Sequence, residues 1–209
     1  PREQFFPETK LTNFLLEQEG EFRVSLASTP IRPGLFPNYG IAQLWGHDGM
    51  HPGRSIDFLG LTRRGGWPTM EPVAAIRYYL FPEGAIADGA EPESFLYEAT
   101  MDGIDVYKNT EAFPMAFLVG QVEPVADAEA AMDAMCDPDY DPGNTVITEN
   151  PPNGPLPTAN VSDVGTATIR ARTTTRVSVD VDAKTDCVLV LSETFFSGWR
   201  ASVDGEPAE

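Results

Sequence analysis

"SFLYEATMDGIDVYKN", residues 94–109, decides how the chain begins to fold. Strand-like runs flank Asp102-Gly103, the kind of dipeptide whose backbone readily enters the left-handed region that a two-residue hairpin needs. The stretch therefore predicts two antiparallel strands. Just upstream "PVAAIRYYLF" (72–81) reads as a buried strand, and downstream "FPMAFLVGQV" (113–122) as another. In "PETKLTNFLLEQEG" (7–20) Leu11, Phe14 and Leu15 stand at helical spacing and Gly20 closes the run, which predicts a helix before the strand "EFRVSLAS" (21–28). Asp127 is placed to cap a short helix with Ala128, Ala131, Met132 and Met135 on one face and Glu129 near its positive end. That helix runs into "CDPDYDPGN" (136–144), and "TVITEN" (145–150) returns as a strand. Between Pro30 and Pro72 the density of Pro and Gly predicts long ordered loops rather than regular elements.

"PPNGPLPTAN" (151–160) is the clearest boundary, because its prolines favour an extended connector. Beyond it the pattern is all β. In "RVSVDVDA" (176–183) Val177, Val179 and Val181 alternate with polar residues, as in a strand with one face on a core. "CVLVLS" (187–192) is continuously apolar and belongs mid-sheet. "WRASVDG" (199–205) puts Trp199, Ala201 and Val203 inward, with Asp204-Gly205 as the turn. The expected fold is α+β: a mixed α/β part over 1–150, the connector over 151–160, and an antiparallel, β-sandwich-like part over 161–209. The last turn has few residues after it, which predicts a truncated sandwich and a chain that continues past Glu209.

The charge balance excludes several partners. Against 32 acidic residues stand 14 basic ones, a formal charge of -18, which repels nucleic acid and anionic headgroups. Between Lys108 and Arg170 no basic residue occurs, while Glu111, Glu123, Asp127, Glu129, Asp133, Asp137, Asp139, Asp141, Glu149 and Asp163 fall in that gap and form a solvated acidic face. Cys136 and Cys187 could pair in an oxidising compartment or stand as small core residues. No apolar run reaches bilayer length, and "PREQFFPETK" (1–10) lacks the features of a signal peptide.

Candidate chemistry is sparse. The alternating Asp137, Asp139 and Asp141 resemble a calcium loop, but Pro142 takes the glycine position and Thr148 that of the bidentate glutamate, so turn-forming aspartates are expected. His47 and His51 have the spacing of zinc ligands on a helix, yet Gly46, Gly49, Pro52 and Gly53 argue against a helix there, and no metal site is expected. Phosphate loops, nucleophile elbows and Cys-x-x-Cys pairs are missing, and Ser192 with Glu193 lacks the pattern of a nucleophilic serine. No catalytic residue and no cofactor are assigned. The expected ligand-binding residues are Trp45, His47, Asp48, His51, Arg54, Phe195 and Phe196. Aromatic faces beside carboxylates hold sugars by stacking and by hydrogen bonds to hydroxyls. Trp67 also lies in the loop-rich region.

The run "VLVLSETFFSGWRASVDGEPAE" (188–209) resembles the ending of the YfhO-like family of bacterial polytopic membrane proteins, in which a strand leads to Gly-Trp and an Asp-Gly turn. "FFPETKLTNFLLEQEGEFRV" (5–24), "FPNYGIAQLWGHDG" (36–49), "VYKNTEAFPMAFLV" (106–119) and "AMCDPDYDP" (134–142) agree with it in order, with departures at His47 and Met115. The resemblance implies a parent protein like a GT-C-type glycosyltransferase, with many membrane helices and a lipid-linked sugar donor. This chain would be its extracytoplasmic domain, on the outer face of the bacterial cell membrane. The catalytic carboxylates would belong to the membrane portion. Its partners would be the membrane-spanning portion of its own parent chain and a glycan. A secreted carbohydrate-binding module is the alternative, and a soluble hydrolase using carboxylates such as Asp48 and Asp57 a second one.

Overall fold

Thr9, in extended conformation, caps the first of the described helices. Its hydroxyl accepts from the Thr12 amide at 3.2 Å while the Thr12 hydroxyl accepts from the Thr9 amide at 2.8 Å, so two amides that the helix cannot satisfy are paired reciprocally. The helix α1 (Lys10–Leu16) buries Leu11 and Leu15. The computed structural model describes residues 6–27, 30–32, 34–44, 53–87, 89–151, 155–158, 163–195 and 197–208; of residues 53–55 and 59 it describes the backbone alone. It divides into two compact units, 1–49 with 71–115 and 50–70 with 116–209.

The first unit is a five-stranded mixed sheet. It contains β1 (Arg23–Leu26), β2 (Ala42–Gln43), β3 (Ile76–Pro82), β4 (Phe95–Met101) and β5 (Ile104–Asn109) in the order β2-β1-β3-β5-β4. Strand β3 runs parallel to β1 and antiparallel to β5. The β4–β5 hairpin turns at Asp102 and Gly103, both with positive φ, as the Asp-Gly dipeptide predicts. The Asp102 carboxylate also accepts from the Leu11 amide at 3.0 Å, which ties this turn to the positive end of α1. Leu11, Leu15, Val24, Phe36, Ile41, Tyr78, Leu80, Ile104 and Val106 form the core between helix and sheet.

In the second unit α2 (Gly53–Arg64) and α3 (Trp67–Met70) precede β6 (Ala116–Val119) and β7 (Gln121–Pro124). The helix α4 (Ala128–Met135) follows, with the Asp127 side chain accepting from the Ala130 amide as its cap. It connects β7 to the parallel strand β8 (Thr145–Thr148), a crossover of the kind parallel pairing requires. Arg64 reaches Glu129 at 3.4 Å and Asp133 at 3.2 Å, joining α2 to α4. Then come β9 (Gly165–Arg172), β10 (Val177–Ala183), β11 (Val188–Leu191), β12 (Ala201–Val203) and β13 (Glu206–Ala208). They pair antiparallel as β9 with β10, β11 with β6, and β12 with β13. The fold class is α+β, and strands on both sides of residues 151–160 pair with each other in this unit.

Several local expectations need correction. Residues 30–72 are not all loop: α2 runs over Gly53–Arg64, Leu61 is fully buried, and Arg63 and Arg64 suit its negative end, while residues 47–51, where no helix is expected, lie outside the described residues. "CVLVLS" does not lie mid-sheet, because β11 pairs with β6 alone among the described strands. Trp199, Ala201 and Val203 do not point into a core; Trp199 is 37% and Val203 66% exposed, since the hairpin β12–β13 covers neither face. Val181 is likewise exposed, and Val177 and Val179 only half-buried. Cys136 and Cys187 are both free thiols.

Truncating Leu80, which has no exposed surface, to Ala is expected to cost about 2–5 kcal/mol in urea unfolding through lost burial and the cavity left behind. Gly165 has φ +126 and a Cβ there would meet the Asp182 carbonyl oxygen at 2.1 Å, so Gly165→Ala is expected to lower the melting temperature. A surface glycine substitution that required no such conformation would leave the melt unchanged.

Candidate functional site

Strand periodicity gives the five-stranded sheet a second face. Tyr78 and Leu80 of β3 enter the core, so Tyr79 and Phe81 project from the opposite side. In β5, Ile104 and Val106 enter the core and Asp105, Tyr107 and Asn109 share the face of Tyr79. In β4, Phe95 is opposite Asn109 and Tyr97 opposite Tyr107. The register then slips between Tyr97 and Ala99, a bulge with Glu98 as its extra residue, and Thr100 comes to lie opposite Asp105. Without that bulge Tyr97 and Thr100, three residues apart, would point to opposite faces. With it they meet, Tyr97 Oη to Thr100 Oγ1 at 2.8 Å.

The result is a layer of five rings. Tyr79 and Phe95 stack with centroids 4.6 Å apart, Phe81 meets Tyr107 edge-on at 5.7 Å, and Tyr97 meets Tyr107 edge-on at 5.5 Å. These rings seal β5, where Tyr107, Asp105 and Asn109 are all buried, whereas Tyr97 at the margin is 51% exposed.

The polar groups of this face are aligned in a definite direction. Asp105 accepts the Gly84 amide at 2.7 Å on one oxygen and the Thr100 hydroxyl on the other. Thr100 has only one hydroxyl proton and it is committed to Asp105, so in the contact with Tyr97 it is the phenol that donates. The lone pairs of Tyr97 Oη are left to accept from an incoming donor. At the other margin the Tyr79 hydroxyl donates to Glu71, and burial, reinforced by that hydrogen bond and the carboxylate charge, holds its pKa far above the usual phenol value. Chemically this is an aromatic surface with one oriented acceptor and two engaged carboxylates, suited to holding a polyhydroxylated ligand.

Of the residues expected to bind ligand, Trp45, His47, Asp48, His51 and Phe196 lie outside the described residues. Arg54 is in the first turn of α2, where only its backbone is described. Phe195 stands 69% exposed after β11. Trp67, half-buried in α3, packs edge-on against Phe58 at 6.0 Å. Glu193 pairs with Arg172 at 2.6 Å, and Asp57 is exposed on α2. None of Tyr79, Phe81, Phe95, Tyr97 and Tyr107 was singled out by sequence. The available signal was aromatic residues at alternate positions in two strands, with a third strand supplying Tyr107 between them.

The aspartates of "CDPDYDPGN" act as turn formers: Asp137 accepts from the Asp139 amide and Asp141 from the Gly143 amide, each at 2.9 Å. Among the described residues no group of three or more His, Cys, Asp or Glu is arranged to hold a metal ion. Tyr140 in this loop donates to the Thr145 carbonyl at 2.9 Å. No family model matches the chain, and no curated protein or solved structure is similar enough to it to count as a match.

Burial, with the Glu123 and Asp141 carboxylates nearby, pushes the Tyr140 phenol up to about 12. The folded state thus favours the protonated phenol. Its contribution to stability is complete below the ordinary value of 10.0 and is lost as the pH rises through the folded one. In an ultraviolet titration of the phenols, Tyr140→Phe should remove amplitude from the late class and leave the ordinary step intact. Loss of amplitude from the ordinary step would contradict that environment.

Proposed function

We propose that the chain is a non-catalytic extracytoplasmic domain of a polytopic membrane protein resembling lipid-linked-sugar glycosyltransferases, and that it positions an acceptor glycan. The observation that carries this reading is the margin of the aromatic face: a half-exposed Tyr97 ring beside a hydroxyl whose lone pairs are oriented outward by Thr100 and Asp105. A sugar presents an apolar ring face and hydroxyl donors, and this margin complements both. With Glu71 and Asp105 on the face and a formal charge of -18 on the chain, an uncharged glycan is favoured over one bearing carboxylates or phosphates.

Its other partner is the membrane-spanning portion of its own parent chain, at the extracytoplasmic face of the bacterial membrane. Support comes from residues 165–208, where five strands form but no described side chain is buried. Two-stranded pairs are marginal in water by themselves, so a larger surface to pack on suits them. A secreted carbohydrate-binding module would use the same aromatic face. Strands β9 to β13 favour the domain seated on a larger partner over a free module, because they leave Val181, Leu189, Trp199 and Val203 as apolar surface to cover. Among the described residues no helix is long and apolar enough to cross a membrane.

Titration calorimetry with a panel of neutral hexose oligosaccharides and their uronic-acid counterparts tests the reading. Neutral glycans should bind, and Tyr97→Ala should weaken them about tenfold, the loss expected for one stacking residue. Thr100→Val, which frees the phenol proton, should weaken them by a smaller factor, and Phe195→Ala should change nothing. Binding by Tyr97→Ala equal to that of the parent chain, or no binding at all, sinks the glycan-holding role.

A further inference from the structure

We propose that this fold is built for a salt-rich medium and reaches full stability only near molar ionic strength. The formal charge is -18 on 209 residues, and Lys10, Lys108 and Lys184 are the only lysines. Within 109–169, where there is no basic residue, Glu111, Glu123, Asp127, Glu129, Asp133, Asp137, Asp139, Asp141 and Asp163 are all exposed.

Among the described residues, the cations that face these carboxylates are shared or exposed. Glu129 and Asp133 stand one turn apart on α4, an i, i+4 pair of like charge that destabilises a helix, and they share the single guanidinium of Arg64. Lys184 answers Asp163, and Arg170 answers Asp180 at 3.5 Å, with every side chain in these pairs more than half exposed. Exposed pairs of this kind contribute little. Asp137 and Asp141 each accept one backbone amide of their own turn, from Asp139 and Gly143, which leaves their charge without a cation in these contacts.

Length scales decide the salt that is needed. Side chains one helical turn apart lie roughly 5–6 Å from each other. The screening length is about 8 Å at physiological ionic strength and about 3 Å at 1 M. Ordinary salt therefore leaves neighbouring carboxylates repelling one another, and molar salt removes most of that repulsion.

The test is thermal unfolding of the whole chain, followed by circular dichroism, in KCl from about 0.1 M to about 2 M. The melting temperature should rise by roughly 10 °C, most of it below about 1 M, where the screening length falls under the charge spacing. A variant carrying Glu111→Gln, Glu123→Gln and Asp139→Asn, at exposed positions outside the ion pairs above, should melt higher than the parent at low salt and show a shallower rise. Sucrose, which stabilises by exclusion without screening, should not substitute for KCl in shrinking the gap between parent and variant. A flat salt dependence, equal slopes for parent and variant, or a gap closed by sucrose would each overturn the proposal.

Discussion

Strand β3 carries the constraint on which the first unit depends. It must run parallel to β1 on one edge and antiparallel to β5 on the other while placing large side chains on both faces. Tyr78 and Leu80 close the core under α1, and Tyr79 and Phe81 begin the aromatic layer. A one-residue slip would exchange these sets, moving Tyr79 and Phe81 into the core and Tyr78 and Leu80 to the opposite face. The register is pinned at one end by the Asp102-Gly103 turn, whose carboxylate is bonded to the first turn of α1. The bulge at Glu98 turns a simple alternation into the Tyr97–Thr100–Asp105 chain that gives the outer phenol a direction.

Much of the fold was legible because local chemistry and tertiary structure agree. Leu11 and Leu15 at helical spacing, the Asp102-Gly103 turn and the Asp127 cap all appear where the residues place them. The reading failed where one residue type has two uses. The Gly and Pro density of 30–72 resembles loop, yet Gly also stands at helix ends, and α2 starts at Gly53. Alternation in 176–183 and 199–205 encodes which residues share a face but not whether anything covers it, and Val181, Trp199 and Val203 stand exposed. The aromatic face was invisible for a different reason. It exists only after three strands are aligned and one is bulged, and no local pattern marks the register of Tyr79 against Tyr107 or of Thr100 against Asp105.

The two units solve the problem of surface differently. In the first, a helix and a sheet enclose a contiguous core, and on the other face of the sheet Tyr97 stands half exposed at the margin of the rings. In the second, the described core side chains lie in α2, α3, β6, α4 and β8 and end at Val164, with the later strands paired edge to edge but not enclosed. Those strands alternate and turn as their residues predict, while their described side chains stand half-buried or exposed. The same economy of internal compensation marks the charges, where carboxylates outnumber the cations available to pair with them.

The most direct test of the central claim is where a sugar touches the protein, mapped by chemical-shift changes in nuclear magnetic resonance as a neutral hexose oligosaccharide is added. The account predicts the largest changes at Tyr97, Thr100 and Phe95, with smaller ones at Asp105 and Gly84, whose amide bonds to it. Changes centred on Phe195 and Trp199, with the β4–β5 hairpin unmoved, would contradict it and assign sugar recognition to the exposed aromatics of the second unit.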